Sequence, residues 1–284
     1  MSYFHLGVKI VFFTSTLLLI GSCTQLKYGI SKKEKKYAET YAHNLNASFG
    51  IPVGSDQNKE NLRERDEYVF RYAPQKGSSS WVTHRIVASD YGQTPRRRGR
   101  FLTDPLLPDS LQINHEHYTH SGYDRGHMVR SKERTVSTDS NRATFYMTNV
   151  FPQTPGLNRG VWLSFERFCE KLAGMGYNLY VHTGGIYQNK QTLKDEGNVA
   201  IPDSCYKTVL AINTQGELNY FPADTFTVAV IMPNVEGIRS DDWYKYITTV
   251  KAVEKSTGLN FYPLLTKKES RVYETMLLPQ NTIN

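Results

Sequence analysis

The chain has 284 residues, 39% of them hydrophobic and 21% charged, and a formal net charge of +7. This composition is that of an ordinary globular chain rather than a disordered one, and the length is enough to bury a full core as one large domain or two small ones. A basic excess attracts polyanions, but many exported proteins are basic, so where the charge lies matters more than its sum.

Residues 1–23 read as an export signal. The apolar run from Ile10 to Ile20, after Lys9, is eleven residues long, too short for a bilayer-spanning helix of about 20 but suited to the core of a signal peptide. Gly21-Ser22-Cys23 follows it and resembles a bacterial lipoprotein signal, in which Cys23 is lipidated after cleavage. Plain secretion and an uncleaved anchor are the alternatives, and all three export the chain, to the periplasm or cell surface if anchored. Loss of the signal removes one charged residue, Lys9, and takes the charge from +7 to +6. In an oxidising compartment Cys169 and Cys205 could pair as a disulfide or remain buried thiols, and neither has metal-ligand spacing.

Residues 24–62 are polar and mixed in charge, and are expected mainly as a tether with a short helix over 31–42. A folded domain is expected over 63–275, with a tail over 276–284. Its first strands fall at 67–72 and 81–87, rich in β-branched and aromatic residues and separated by a turn at 75–79. Arg96, Arg97, Arg98 and Arg100 then form a basic loop, either a solvated charge run or a surface for phosphate.

His115, Glu116, His117 and His120 lack zinc-motif spacing, and an extended segment would put His115 and His117 on one face as loop histidines. A helix is expected over 160–173, stopped by Gly174. Strands follow at 177–183, halted by Gly184-Gly185, and at 206–212 and 226–232. A last helix is expected over 243–256, ending at Gly258. Strands and helices mixed without βαβ periodicity indicate an α+β fold with a mixed or antiparallel sheet.

Residues 123–128 and 149–166 crowd together the residue types that phosphodiester hydrolysis needs. His127 can deprotonate a water near neutral pH. Asn158 offers a neutral carbonyl oxygen to a hard cation such as Mg²⁺, which keeps most of its waters. Glu166, about two helical turns on, can hold such waters from behind. Asn149 can orient His127 or a water, Arg125 can contact phosphate, and Asp124 can pair with a basic group. Each alone is more often structural; together they give a base, a metal site and positive charge.

Asp124-Arg125-Gly126-His127, Asn149-x-x-Pro152-Gln153, Asn158-x-Gly160-x-Trp162 and Glu166 closely resemble the signature of the DNA/RNA non-specific endonucleases. These ββα-metal (His-Me finger) nucleases include mitochondrial endonuclease G and secreted bacterial enzymes. The resemblance runs from about Gly50 to Leu265 and takes in Trp81-Val82, Phe101-x-x-Asp104, Thr183-Gly184-Gly185, Lys207, Pro233-Asn234 and Thr257-Gly258-Leu259.

It implies an Mg²⁺-dependent nuclease, with Mn²⁺ as a substitute ion, that cuts DNA and RNA to leave 5′-phosphate ends. His127 is then the base, Asn158 the metal ligand, Glu166 the holder of metal waters, Asn149 a support, and Arg125 a phosphate neighbour. The family often has arginine four residues after the helix glutamate. Glu170 stands there in this chain, with Arg167 and Lys171 as substitutes. A further phosphate-binding arginine falls among Arg96, Arg97, Arg98 and Arg100. The rival readings are a surface lipoprotein that binds nucleic acid without cutting it and an enzyme for other phosphodiesters.

Overall fold

Strand β7 (Ser204–Asn213) is buried on both faces, and the rest of the molecule is arranged in layers on either side of it. Its odd-numbered residues Cys205, Val209 and Ala211 enter one core, while Tyr206 and Leu210 on the opposite face enter another, as the two-residue period of a strand requires. The computed structural model describes residues 30–194, 199–213 and 225–278. The signal segment and Cys23 lie outside them.

The sheet that contains β7 has seven strands, all paired antiparallel. In spatial order they are β1 (Leu62–Glu64), β2 (Val69–Ala73), β3 (Ser78–Ile86), β6 (Tyr177–Ile186), β7, β8 (Phe226–Pro233) and β9 (Ile247–Thr248). A separate hairpin is formed by β4 (Asp124–His127) and β5 (Val150–Gln153). The helices are α1 (Lys32–Ala38), α2 (Thr138–Ala143), α3 (Trp162–Gly174), α4 (Val250–Thr257) and α5 (Lys267–Tyr273). The hairpin and α3 lie on the face marked by Cys205 and Val209, where Phe151, Trp162, Phe165, Cys169 and Leu172 join the main core. Val250 and Val253 of α4 cover the other face with Phe261 and Tyr262. The α+β class is as expected, and the main sheet is purely antiparallel.

Several expectations need correction. Residues 30–61 are no tether: Tyr37, Ala38, Ala47, Ile51 and Val53 pack with Leu62, Val69 and Trp81 as a third apolar cluster. A few apolar anchors inside a polar stretch are invisible to average composition, yet they suffice to order it. The short helix does form, capped reciprocally by Ser31 and Glu34, an arrangement that satisfies two otherwise free backbone N–H groups. At the other end of the chain, Leu278 of the expected tail is buried in the main core.

Gly184-Gly185 does not halt β6, which continues to Ile186. A Cβ at Gly184 would crowd the Ser80 carbonyl and the Tyr206 hydroxyl, so the glycine is there for close packing within the strand. The helix expected over 243–256 is divided. Trp243–Tyr246 forms a 3₁₀ turn, β9 adds to the sheet edge, and α4 begins only after Thr249, whose hydroxyl caps Ala252 N–H. Trp243 is drawn away to pack on Phe165 and Phe168 of α3, with ring centroids at 5.1 and 4.8 Å. His115–Tyr118 is likewise a 3₁₀ turn begun by Asn114, not an extended segment. Both cysteines are buried free thiols, Cys169 on α3 and Cys205 on β7.

Candidate active site

The hairpin is narrow because glycine stands at its centre. Gly126 pairs with Phe151, and a Cβ at Gly126 would overlap the Gln153 side-chain amide. After β5 the chain makes one wide helical turn, Leu157–Val161, and enters α3. A Cβ at Gly160 would overlap the Arg239 carbonyl, so glycine is needed for the close approach that aims this turn.

His127 ends β4, and its ring is flanked by Phe101 and Phe145, each at 5.2 Å between centroids. Nε2 is buried with no hydrogen-bond partner among the described residues, while the residue as a whole is partly exposed. Burial first, and then the cations Arg96 and Lys207, hold the imidazole below its ordinary range, so it is neutral at physiological pH and gains a proton only where negative charge, such as a substrate phosphate, offsets those cations.

Asn158 and Asp124 join the wide turn to β4. Asn158 Nδ2 donates to Asp124 Oδ2 at 2.9 Å, and Arg159 grips the same carboxylate through Nε at 2.7 Å and Nη2 at 2.5 Å. Asp124 thus pairs with a basic group as expected. Because Asp124 takes the Asn158 amide nitrogen, Oδ1 turns away and accepts nothing among the described residues. That leaves one neutral oxygen donor. Among the described residues there is also no cluster of three or more His, Cys, Asp or Glu, which excludes there a multidentate cage of zinc type. A hydrated Mg²⁺ with a single protein ligand fits this donor set.

Glu166 lies on the inner face of α3, about 5% exposed. Burial pushes its carboxyl up to about 7 against the opposing pull of Lys207 and Arg130. Lys207, on β7, is about 1% exposed. Its Nζ donates to the Met128 carbonyl at 2.7 Å and to Thr183 Oγ1 at 3.2 Å and lies 5.0 Å from the Trp162 ring centroid. One buried ammonium therefore connects the sheet to the peptide that follows His127. Asn234 performs a similar task for β5, with Nδ2 donating to the Pro152 carbonyl at 3.0 Å and Oδ1 accepting from Thr154 N–H at 2.8 Å.

The other expected site residues divide. Asn149 is fully buried, but it does not orient His127 directly. Its Oδ1 accepts from Val129 N–H at 3.0 Å, and its Nδ2 donates to the Val129 and Thr144 carbonyls, both at 2.9 Å. It clamps the backbone two residues past His127. Arg125 donates from Nη2 to the His115 carbonyl at 2.5 Å, beside the Tyr118 and Phe101 rings, a fixed cation on the same strand as His127.

Of the basic loop, Arg96 is the residue whose charge acts on His127, and its guanidinium lies 4.9 Å from the Phe145 centroid. Arg97 donates to the Arg100 carbonyl, Arg100 pairs with Glu116 at 2.6 Å, and Arg98 is exposed. Arg167 also is exposed, on the outer side of α3. The guanidinium near Glu166 belongs instead to Arg130, whose Nε is 3.5 Å from Glu166 and whose Nη1 is 2.6 Å from Glu170. Sequence reading missed it: the one available signal was its position, three residues past His127.

Residues 46–268 match the family model for DNA/RNA non-specific endonucleases. A nuclease of Nostoc sp. (strain PCC 7120) is 34% identical over 219 residues, 75% of this chain and 78% of that protein. Human mitochondrial endonuclease G is 27% identical over 230 residues, 76% of this chain and 73% of its own. Among solved structures, EndoG in the EndoG/EndoGI complex superposes with a TM-score of 0.66 at 24% identity, covering 78% of this chain and 91% of that one. At that identity the superposition speaks for the fold alone.

Proposed function

The chain belongs to the DNA/RNA non-specific endonuclease family and is a hydrolytic nuclease, and on that premise we propose that His127 is the general base of an Mg²⁺-dependent cleavage of both DNA and RNA. The observation that supports this reading is a partly exposed, neutral imidazole at the end of the strand whose first residue, Asp124, also holds Asn158.

Water attacks the phosphorus in line, and its proton passes to the His127 imidazole as the P–O3′ bond breaks. The electron pair of that bond leaves on the 3′ oxygen, and the phosphate stays on the 5′ end. The Asn158 carbonyl oxygen would hold a divalent cation, which would supply charge stabilisation as the 3′ oxygen departs. Arg125 and Arg96 set positive charge on the substrate side, and contacts to phosphate rather than to base edges account for tolerance of sequence. Lys207 and Asn149 hold the backbone on which His127 sits, so the base is placed before substrate arrives.

Export and attachment to a membrane through a lipidated Cys23 are part of the same proposal and rest on residues 1–23. A Cys23→Ala chain that remains in the membrane fraction would remove the anchor from it. For the chemistry, supercoiled plasmid and RNA are incubated with the full chain in Mg²⁺ or EDTA, beside His127→Ala. Cleavage of both by wild type only with Mg²⁺, and at least about 100-fold slower by the variant, is expected. Retardation of both substrates without cleavage would replace the enzyme with a binding protein, and equal cleavage by His127→Ala would remove the base.

A further inference from the structure

Glu166 and Glu170 stand one turn apart on α3. Like charges at this spacing repel and destabilise a helix unless something lies between them. The group between them comes from outside the helix: Arg130 reaches across with Nε 3.5 Å from Glu166 Oε2 and Nη1 2.6 Å from Glu170 Oε2.

Both ends of Arg130 are fixed. Its backbone N–H donates to Glu133 Oε2 at 3.2 Å. Glu133 is about 1% exposed and its carboxylate packs 3.3 Å from His84 Nε2 on β3, so the peptide at Arg130 is held to a buried side chain that abuts the central sheet. The guanidinium is tied to α3 and its side chain is only 16% exposed. The short segment that begins at His127 ends at these two ties.

We propose that Arg130 is a positioning residue of the reaction centre, locking the exit of the His127 strand to the helix that carries Glu166. This rests on the reading that Glu166 belongs to that centre. Guanidinium is the suitable group because its planar fork can engage two carboxylates along separate N–H directions, which a lysine ammonium does not reproduce. Glu170, exposed on one side, has its carboxylate directed inward to complete the bridge.

The test exchanges the charges. Four variants of the full chain, Arg130→Met, Arg130→Lys, Glu166→Gln and the double variant Arg130→Glu/Glu170→Arg, are assayed on one oligonucleotide, with melting temperatures measured in parallel. In the double variant, Arg at 170 faces Glu166 on the same helix and Glu at 130 across the gap, so the bridge is rebuilt with its polarity reversed. Arg130→Met is expected to lower kcat about 10- to 100-fold with KM within about twofold, as a misplacement of about 1 Å does. Arg130→Lys should recover part of this, and the double variant at least about tenfold over Arg130→Met.

Wild-type kcat in Arg130→Met, a loss confined to KM, or a loss that the double variant leaves unrelieved would each overturn the inference. So would a kcat that merely follows the folded fraction. If wild type is inactive or Glu166→Gln is fully active, the reading of the centre itself fails and this inference falls with it.

Discussion

Asn149 separates positioning from chemistry, because its side chain touches only backbone. It is fully buried and makes three hydrogen bonds, two to Val129 and one to Thr144. Asn149→Ala deletes all three, and at a net of about 1 kcal/mol each, with some added cost for the groups left unpaired, it should lose about 3–5 kcal/mol. For a domain of this size each kcal/mol lowers the melting temperature by roughly 2–4 °C, so the transition should fall by about 6–20 °C. Asn149→Asp keeps the acceptor for Val129 N–H but sets a carboxylate oxygen against two carbonyls, and should be no more stable than the alanine variant. Urea denaturation gives the stability, and single-turnover cleavage by the folded fraction gives the rate. A loss below about 1 kcal/mol in Asn149→Ala, with the rate unchanged, would refute the clamp. Unchanged stability with a large loss of rate would return Asn149 to direct chemistry.

Two further predictions follow from the same geometry. Burial holds Glu166 protonated up to about pH 7, and a bound cation favours its carboxylate. Mg²⁺ should therefore bind about tenfold more weakly at pH 6 than at pH 8, and the acid limb of kcat/KM should move to lower pH as Mg²⁺ is raised. Isothermal titration at pH 6, 7 and 8 checks this, and an affinity independent of pH would refute it. At the hairpin, a Cβ on residue 126 overlaps the Gln153 amide, so Gly126→Ala should cost about 1–3 kcal/mol and slow cleavage. Adding Gln153→Ser makes room and should restore both; no relief in the double variant would mean that another contact sets the need for glycine.

What the sequence disclosed and what it withheld follow from the range over which each feature is determined. The strands around β7 were legible because a buried strand writes its pattern in consecutive residues. His127, Asn158 and Glu166 could be nominated from sequence because their motif is compact, with glycines marking its turns. The 243–256 segment misled because its apolar spacing is helical while Trp243 is claimed by Phe165 and Phe168 of α3, a contact between residues about 75 positions apart that no local window contains. Residues 30–61 misled in the opposite direction, since five buried anchors hardly alter the mean polarity of the stretch. Arg130 was hidden for a related reason. Its partners Glu166 and Glu170 lie some 40 residues away, and only the return of α3 over the hairpin brings them together.

The charges of the site fall into two groups with different work. Beneath His127, buried acids and bases alternate: His84 faces Glu133, Lys207 acts on both Glu133 and Glu166, and Arg130 bridges Glu166 to Glu170. Burying the charge of Glu133 or Arg130 alone would cost several kcal/mol, and each is tolerated because its neighbours offset it, while burial keeps His84 uncharged and raises Glu166 toward its neutral form. The floor is consequently close to neutral and attracts little on its own; what it supplies is a fixed placement of β4 against α3. The uncompensated charge sits on the other side, in the loop of Arg96, Arg97 and Arg98 and in Arg125, with Phe145, Phe101 and Tyr118 beneath their guanidinium groups where ring contacts are made. An aromatic support orients a cation without neutralising it, whereas a carboxylate partner, as Glu116 is to Arg100, spends the charge. On the proposed reading, a polyanion meets its attraction at the rim of the site and its geometry at the floor, so that substitutions of Arg96 and Arg125 should act on capture, and those of Lys207, Asn149 and Arg130 on the placement of His127.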